Sequence, residues 1–189
     1  PEFEQRAREE AGLLEAMGEL IGDEEKVRFL RASAAGIATL RKYLGLSKVG
    51  PITAAIADEL AAGAYDKIVV FAYHRTVIDR LARTWTAWCP VTIHGGTSPF
   101  QRQAAIDRFQ TDASCRIFLG QITAAGSAIT LTASSRVVLV EPSYVPGENA
   151  QAIARCHRIG TRDSVLARWI VAAGDPLDER ILDAVRRKT

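Results

Sequence analysis

The chain has 189 residues, carries 24 Lys and Arg against 22 Asp and Glu for a formal net charge of +2, and is 48% hydrophobic. That length suits one domain with a full core and a small appendage, and the balance excludes a disordered chain, a fibrous one and a strongly basic nucleic-acid coat. No apolar run approaches the ~20 residues that span a bilayer, and the opening "PEFEQRAREE" is too charged for a signal peptide, so a cytoplasmic or nucleoid location is expected, nuclear in a eukaryote.

From Phe3 to Leu44 the periodicity predicts two helices broken near "IGDEEK". The first has an apolar stripe of Leu13, Leu14, Met17, Leu20 and Ile21, and Asp23 suits the N-cap of the second. "GLSKVGP" is expected to stop this segment, and "PITAAIADELAAG" to form a helix with Pro51 in its first turn and Gly63 past its end. Beyond it the texture changes to short β-branched runs: Lys67 to Tyr73, Val91 to His94, Cys115 to Gly120, Arg136 to Glu141 and Ala167 to Ala172. Helical stretches from Thr76 to Trp88, Pro99 to Gln110, Glu148 to His157 and Pro176 to Arg187 alternate with them. Near-continuous apolar strands alternating with helices predict an α/β fold, a parallel sheet covered on both faces, in which ligands gather at the carboxyl ends of the strands.

Cys89, Cys115 and Cys156 are odd in number and form no CxxC, so buried thiols are expected rather than a disulfide framework or a zinc site. His74, His94 and His157 fit no ligand spacing, and no metal site is expected of them.

Four segments follow the strand ends: "YHRTVIDRL", "HGGTSPFQRQAAIDRF", "QITAAGSAITLTASS" and "EPSYVPGENAQAIARCHRIG". In the second, Gly95 and Gly96 permit a tight turn, Ser98 caps the helix that Pro99 opens, Ile106 and Phe109 face inward, and Arg102 is expected to be exposed. That pattern fits an ordinary strand-turn-helix as readily as a contact site. "QITAAG" places Thr123 and small residues where a backbone passes close to a ligand, or where a helix packs tightly on the sheet. In the last, Gln151, Arg155 and Arg158 fall within about 60° of one another on an ideal helix. They form either a solvated face or a phosphate-facing one, because a guanidinium fork matches phosphate oxygens.

Taken together, "VVFAYHR", "HGGTSPFQR", "QITAAGSAITLTASSRVVLVEP" and "QAIARCHRIGT" resemble the C-terminal RecA-like lobe of Swi/Snf-type, superfamily-two ATP-dependent DNA translocases, most of all the annealing-helicase or fork-remodelling branch. The resemblance runs from about Lys48 to Lys188, giving a helical N-terminal segment over 1–47 and a RecA-like lobe over 48–189. The family's sixth motif, Q-x-x-x-R-x-x-R-I-G, fits Gln151, Arg155, Arg158, Ile159 and Gly160 residue for residue. By resemblance Arg158 is the arginine finger, Arg155 a second phosphate-facing group, and Gln151, with Gly126 of the fifth motif, couples to nucleotide. The fifth motif, Thr123 to Leu131, implies DNA-backbone contact, with Arg75 and Arg102 as further candidates. Ala128 and Thr161 stand where many members have glycine and glutamine.

No G-x-x-x-x-G-K-[ST] loop occurs, nor any Gly-Lys pair, and no acidic pair follows a buried strand. The resemblance therefore implies ATP and Mg²⁺ held mainly by an N-terminal RecA-like lobe, in the same or a separate chain, with the DNA backbone as the other partner and no membrane. This chain alone is expected to be inactive. Two other readings stand beside the motor: a non-catalytic nucleic-acid-binding or interaction module of the same fold, and, more remotely, the nucleotide-sugar lobe of a glycosyltransferase, which leaves the Gln151, Arg155, Arg158 register unexplained.

Overall fold

The computed structural model describes residues 34–124, 129–143, 145–158, 163–175, 178–179 and 182–183. Two compact units divide the chain, Pro1–Ser47 and Lys48–Thr189. In the first, helix α1 spans Ala34–Ser47. The helix break at "IGDEEK", the stripe from Leu13 to Ile21 and the Asp23 cap lie outside the described residues.

The second unit opens with α2 (Val49–Ala61), so the expected stop at "GLSKVGP" is one residue wide. Lys48 keeps right-handed helical dihedrals there, φ −74° and ψ −19°. Its side chain is buried: Lys48 Nζ donates to the carbonyls of Val140 (3.2 Å) and Ile170 (3.0 Å) and pairs with the Asp178 carboxylate. Pro51 occupies the first turn of α2, where no intrahelical N–H is needed. At the other end Gly63 adopts φ +69°, and its N–H donates to Leu60 O while that of Ala64 donates to Glu59 O. Those two bonds make the left-handed cap that glycine reaches without a Cβ penalty.

Five parallel strands follow, β1 (Ile68–Ala72), β2 (Val91–Ile93), β3 (Ile117–Gln121), β4 (Arg136–Leu139) and β5 (Leu166–Trp169), in the order β2-β3-β1-β4-β5. Helix α3 (Arg75–Thr84) leaves β1, α4 (Pro99–Thr111) leaves β2, and α5 (Pro146–Ala154) leaves β4. Every residue of β1 is buried, as two covered faces require. Val69, Phe71, Phe118, Val137 and Leu139 cluster on one face with Ile106 and Phe109 of α4 and Ala152 of α5. Strand alternation sends Ile68, Val70, Ile117, Leu119 and Val138 to the other face, where α3 packs on β1 and β3 with α2 beside it. This is the RecA-like α/β architecture expected.

The predicted helix from Thr76 to Trp88 ends early, at Thr84, followed by a 3₁₀ turn over Thr86–Trp88. Trp85 is buried and donates its indole N–H to Thr53 O at 3.1 Å, which anchors the chain where the α-helix stops. Cys89 then takes φ +47°, the one described non-glycine residue with positive φ. Cys115 and Cys156 are buried as expected, whereas Cys89 is half-buried; none of the three is in a disulfide.

Candidate functional site

The chain runs from β1 towards β2 and β3 on one side and from β4 to β5 on the other, so the strand order reverses between β1 and β4. Connections diverge there and open a crevice at the carboxyl ends. Two residues that the sequence reading passed over bridge it. His74, just after β1, donates its backbone N–H to Glu141 Oε2 (2.9 Å), and its Nδ1 lies 2.7 Å from Glu141 Oε1. Glu141 is buried at the end of β4, and a buried carboxylate after an apolar run requires such partners. That lone acid closing "RVVLVE" is the signal that was legible.

Gln121, at the end of β3, ties the neighbouring loops together. Its Nε2 donates to Tyr73 O (3.0 Å), and its Oε1 accepts from Gly95 N–H (3.0 Å). In the loop after β2, Gly95 and Gly96 form the tight turn expected, closed by Thr97 N–H on His94 O at 2.9 Å, and neither needs a positive φ to do so. What Gly96 supplies is room, since a Cβ there would sit 3.3 Å from the His94 ring. His94 Nδ1 accepts from Gly96 N–H at 3.1 Å, an acceptor role that needs a neutral ring on that nitrogen. Burial, then the Arg75 guanidinium, pull the His94 pKa below its ordinary value, while Asp79 opposes them.

Ser98 caps α4 as predicted, accepting from Gln101 N–H while the Gln101 side chain accepts from Ser98 N–H. Arg102 departs from its predicted exposure. Half-buried, it donates from Nη1 to Ala124 O at 2.8 Å, because the 3₁₀ turn Ile122–Ala124 brings that carbonyl within its reach. Thr123 is exposed within this turn, so Arg102 and Thr123 are brought together, with Arg102 engaged by the backbone. Arg75 lies elsewhere, at the start of α3 beside Gly96 and His94, with its Nε 3.6 Å from Asp79 on the same helix. Gly126 falls outside the described residues, as do Ile159 and Gly160.

The expected single helix face carrying Gln151, Arg155 and Arg158 is not what forms. Gln151 is exposed on α5, but the helix ends at Ala154, Arg155 is its C-cap, and Arg158 lies beyond it. The last turn tightens: Arg155 N–H donates to Ala152 O (3.2 Å) and Cys156 N–H to Ile153 O (3.0 Å), both i to i−3. Arg155 O accepts instead from Leu131 N–H at 2.9 Å, and Cys156 inserts into the core. Arg158 Nη1 then donates to Thr130 Oγ1 at 3.3 Å. The two arginines therefore meet the segment from Ile129 to Leu131 through a helix end and turn, while Gln151 stays on the helix that packs beside Ile122–Ala124.

Asn149 and Ser143 fix the start of α5. Asn149 is buried, accepting from Ser143 N–H and donating to Ser143 O, both at 2.8 Å. Ser143 Oγ donates to Glu148 Oε2 at 2.6 Å. These bonds fix the start of the helix that leads to Arg155 at its C-cap and to Arg158 beyond it. Among the described residues no group of three or more His, Cys, Asp or Glu is placed to hold a metal ion, and no described helix is long and apolar enough to cross a membrane.

The family model described as the helicase conserved C-terminal domain matches residues 52–160. A Caenorhabditis elegans homolog of the SWI/SNF-related matrix-associated actin-dependent regulator of chromatin subfamily A-like protein 1 is 40% identical over 108 residues, 56% of this chain and 16% of that protein. The human DNA annealing helicase and endonuclease ZRANB3 is 33% identical over 126 residues, 65% of this chain and 11% of that one. The chain thus spans a small fraction of these relatives. The solved C-terminal part of the Fun30 ATPase domain superposes with a TM-score of 0.66 at 22% identity, covering 72% of this chain and 44% of that one, a likeness of fold. With the sheet, the strand-end loops and the matched segment in agreement, the chain belongs to the helicase conserved C-terminal domain family and is a C-terminal motor lobe of the Swi/Snf type.

Proposed function

We propose that this lobe completes the nucleotide site of a two-lobed ATP-dependent DNA translocase, supplying Arg158 as the arginine finger and Arg155 as a second phosphate-facing group. The carrying observation is the convergence of two loops: Leu131 N–H on Arg155 O, and Arg158 on Thr130. One loop follows β3, where the resemblance implies DNA contact; the other follows β4 and α5, where it implies nucleotide contact. A guanidinium on the second is thus tied to a side-chain hydroxyl of the first, and the two backbones are tied beside it.

The donor set suits phosphate oxygens and not a metal. Arg155 and Arg158 are permanently charged forks, whereas the described residues offer no carboxylate cage for Mg²⁺. ATP and Mg²⁺ would be held mainly by an N-terminal RecA-like lobe, where bound Mg²⁺ would offset charge on the transferring phosphoryl group. On this chain, Arg158 meets the charge that develops in the transition state, and Gln151 lies on the helix linking that position to Ile122–Ala124. Thr123, exposed on the turn that Arg102 braces, contacts the DNA phosphate backbone with Arg75 as a peripheral charge and without base readout.

The test is Arg158→Ala in the full-length protein at saturating DNA. Turnover is expected to fall roughly a thousandfold to a hundred-thousandfold, with a much smaller change in KM for ATP, because the lost interaction belongs to the transition state. Arg158→Lys should not rescue, since an ammonium does not reproduce the fork. Near-parental turnover by a folded Arg158→Ala protein would overturn the motor reading and favour a non-catalytic module that binds DNA.

A further inference from the structure

Helix α4 reaches the fifth-motif segment on both sides of residues 125–128. Arg102, in its second turn, donates to Ala124 O at 2.8 Å. Gln110, near its end, donates from Nε2 to Thr130 O at 2.8 Å and lies 3.5 Å from Thr132 Oγ1. The eight-residue separation of these donors is about 12 Å along the axis and returns to within about 80° of the same face. One rigid helix therefore fixes where Thr130 sits.

Thr130 is used at both of its polar oxygens. Its carbonyl takes the Gln110 amide, and its hydroxyl oxygen takes Arg158 Nη1 at 3.3 Å. A guanidinium carries five donors in a rigid plane, so a bond at Nη1 restricts the orientations that plane can take. Arg158 lies past the end of α5, where helical geometry no longer aims its side chain. Orientation has to come from a contact, and Thr130 provides one.

We infer that Thr130 is the positioning residue for Arg158, with Gln110 of α4 holding Thr130 in register. The inference rests on the reading of Arg158 as the finger. Arg158 is thus pre-aimed by the loop proposed to sense DNA, so displacement of that loop would change the aim of the guanidinium.

Thr130→Val removes the hydroxyl at nearly constant shape. In the full-length protein, with ATP varied at saturating DNA, it is expected to lower kcat about threefold to tenfold, in line with the net contribution of one ordinary hydrogen bond. KM for ATP should stay within about twofold, and Thr130→Ser should restore most of kcat. Gln110→Leu should lower kcat in the same direction, and the double variant should be no worse than Thr130→Val alone, because both act on one contact. Introduced into Arg158→Ala, Thr130→Val should have no further effect on the residual rate; an equal loss in that background would reveal a general structural role and overturn the inference. Parental or raised kcat in Thr130→Val overturns it as well. If Arg158→Ala itself keeps turnover, the motor reading fails; if Arg158→Ala abolishes turnover and Thr130→Val does not lower it, only the positioning role fails.

Discussion

Glu59, near the end of α2, accepts both terminal nitrogens of Arg168, at 2.5 and 2.7 Å, and the Tyr65 hydroxyl donates to its Oε2. The Arg168 hydrogen bond, opposed by burial and aided by Tyr65, holds the Glu59 carboxyl below its ordinary 4.5. Burial, with the Glu59 hydrogen bond, raises the Tyr65 phenol, which remains the donor at neutral pH. A carboxyl with a depressed folded pKa contributes stability above its unfolded pKa and loses it as pH falls through the folded value. Glu59→Gln is therefore expected to be less stable than the parent at pH 7, with the gap closing below about pH 4. Denaturant titrations of both proteins across that range check this, and a pH-independent gap would contradict it. At the switch point, Glu141→Ala strands the His74 N–H in the interior and should cost about 1–3 kcal/mol, measured the same way, with Glu141→Gln costing less. Residues of this kind were the least legible in the sequence. Glu141, Gln121 and Gln110 each act on backbone groups far along the chain, at separations of 67, 48 and 20 positions, which no local spacing encodes.

Elements were more legible because they rest on local chemistry. Ser98 and Pro99 announce the start of α4, and Gly63 the end of α2, through capping bonds spanning only a few residues. Helix ends decided by tertiary contacts were misread: Ala154 closes α5 because Leu131 takes the next carbonyl, and Thr84 closes α3 where Trp85 turns inward. The consequence for the site is direct, since Arg155 and Arg158 owe their placement to a helix that stops. Close packing also explains Gly120 in β3, where a Cβ would come within 2.7 Å of Phe71 Cε1 and 3.0 Å of Phe118 Cε1. Both rings are fully buried, so neither yields cheaply. Gly120→Ala is expected to destabilise the chain by about 1–3 kcal/mol, read from the urea midpoint, whereas Gly50→Ala, with open space around it, should not incur that clash.

Over the whole molecule, the absence of a phosphate loop from the sequence leads to the expectation that these 189 residues alone show no DNA-stimulated phosphate release. Sustained turnover by the purified chain would contradict the division of labour between two lobes. DNA affinity should be weak and indifferent to sequence at a net charge of +2, each neutralised phosphate adding about −0.9 to the slope of log affinity against log salt; a flat slope would count against backbone contact. The Lys48–Asp178 pair bears on the molecule's history as well as its final state. The two residues stand at opposite ends of the second unit, and each is about 95% buried. During synthesis, Lys48 emerges first and has neither the Ile170 carbonyl nor the Asp178 carboxylate to meet until the fifth strand and the residues after it leave the ribosome. Nascent chains halted before Asp178 must therefore keep this ammonium hydrated or leave it without its counter-charge, so the unit locks only once the residues after its fifth strand have left the ribosome.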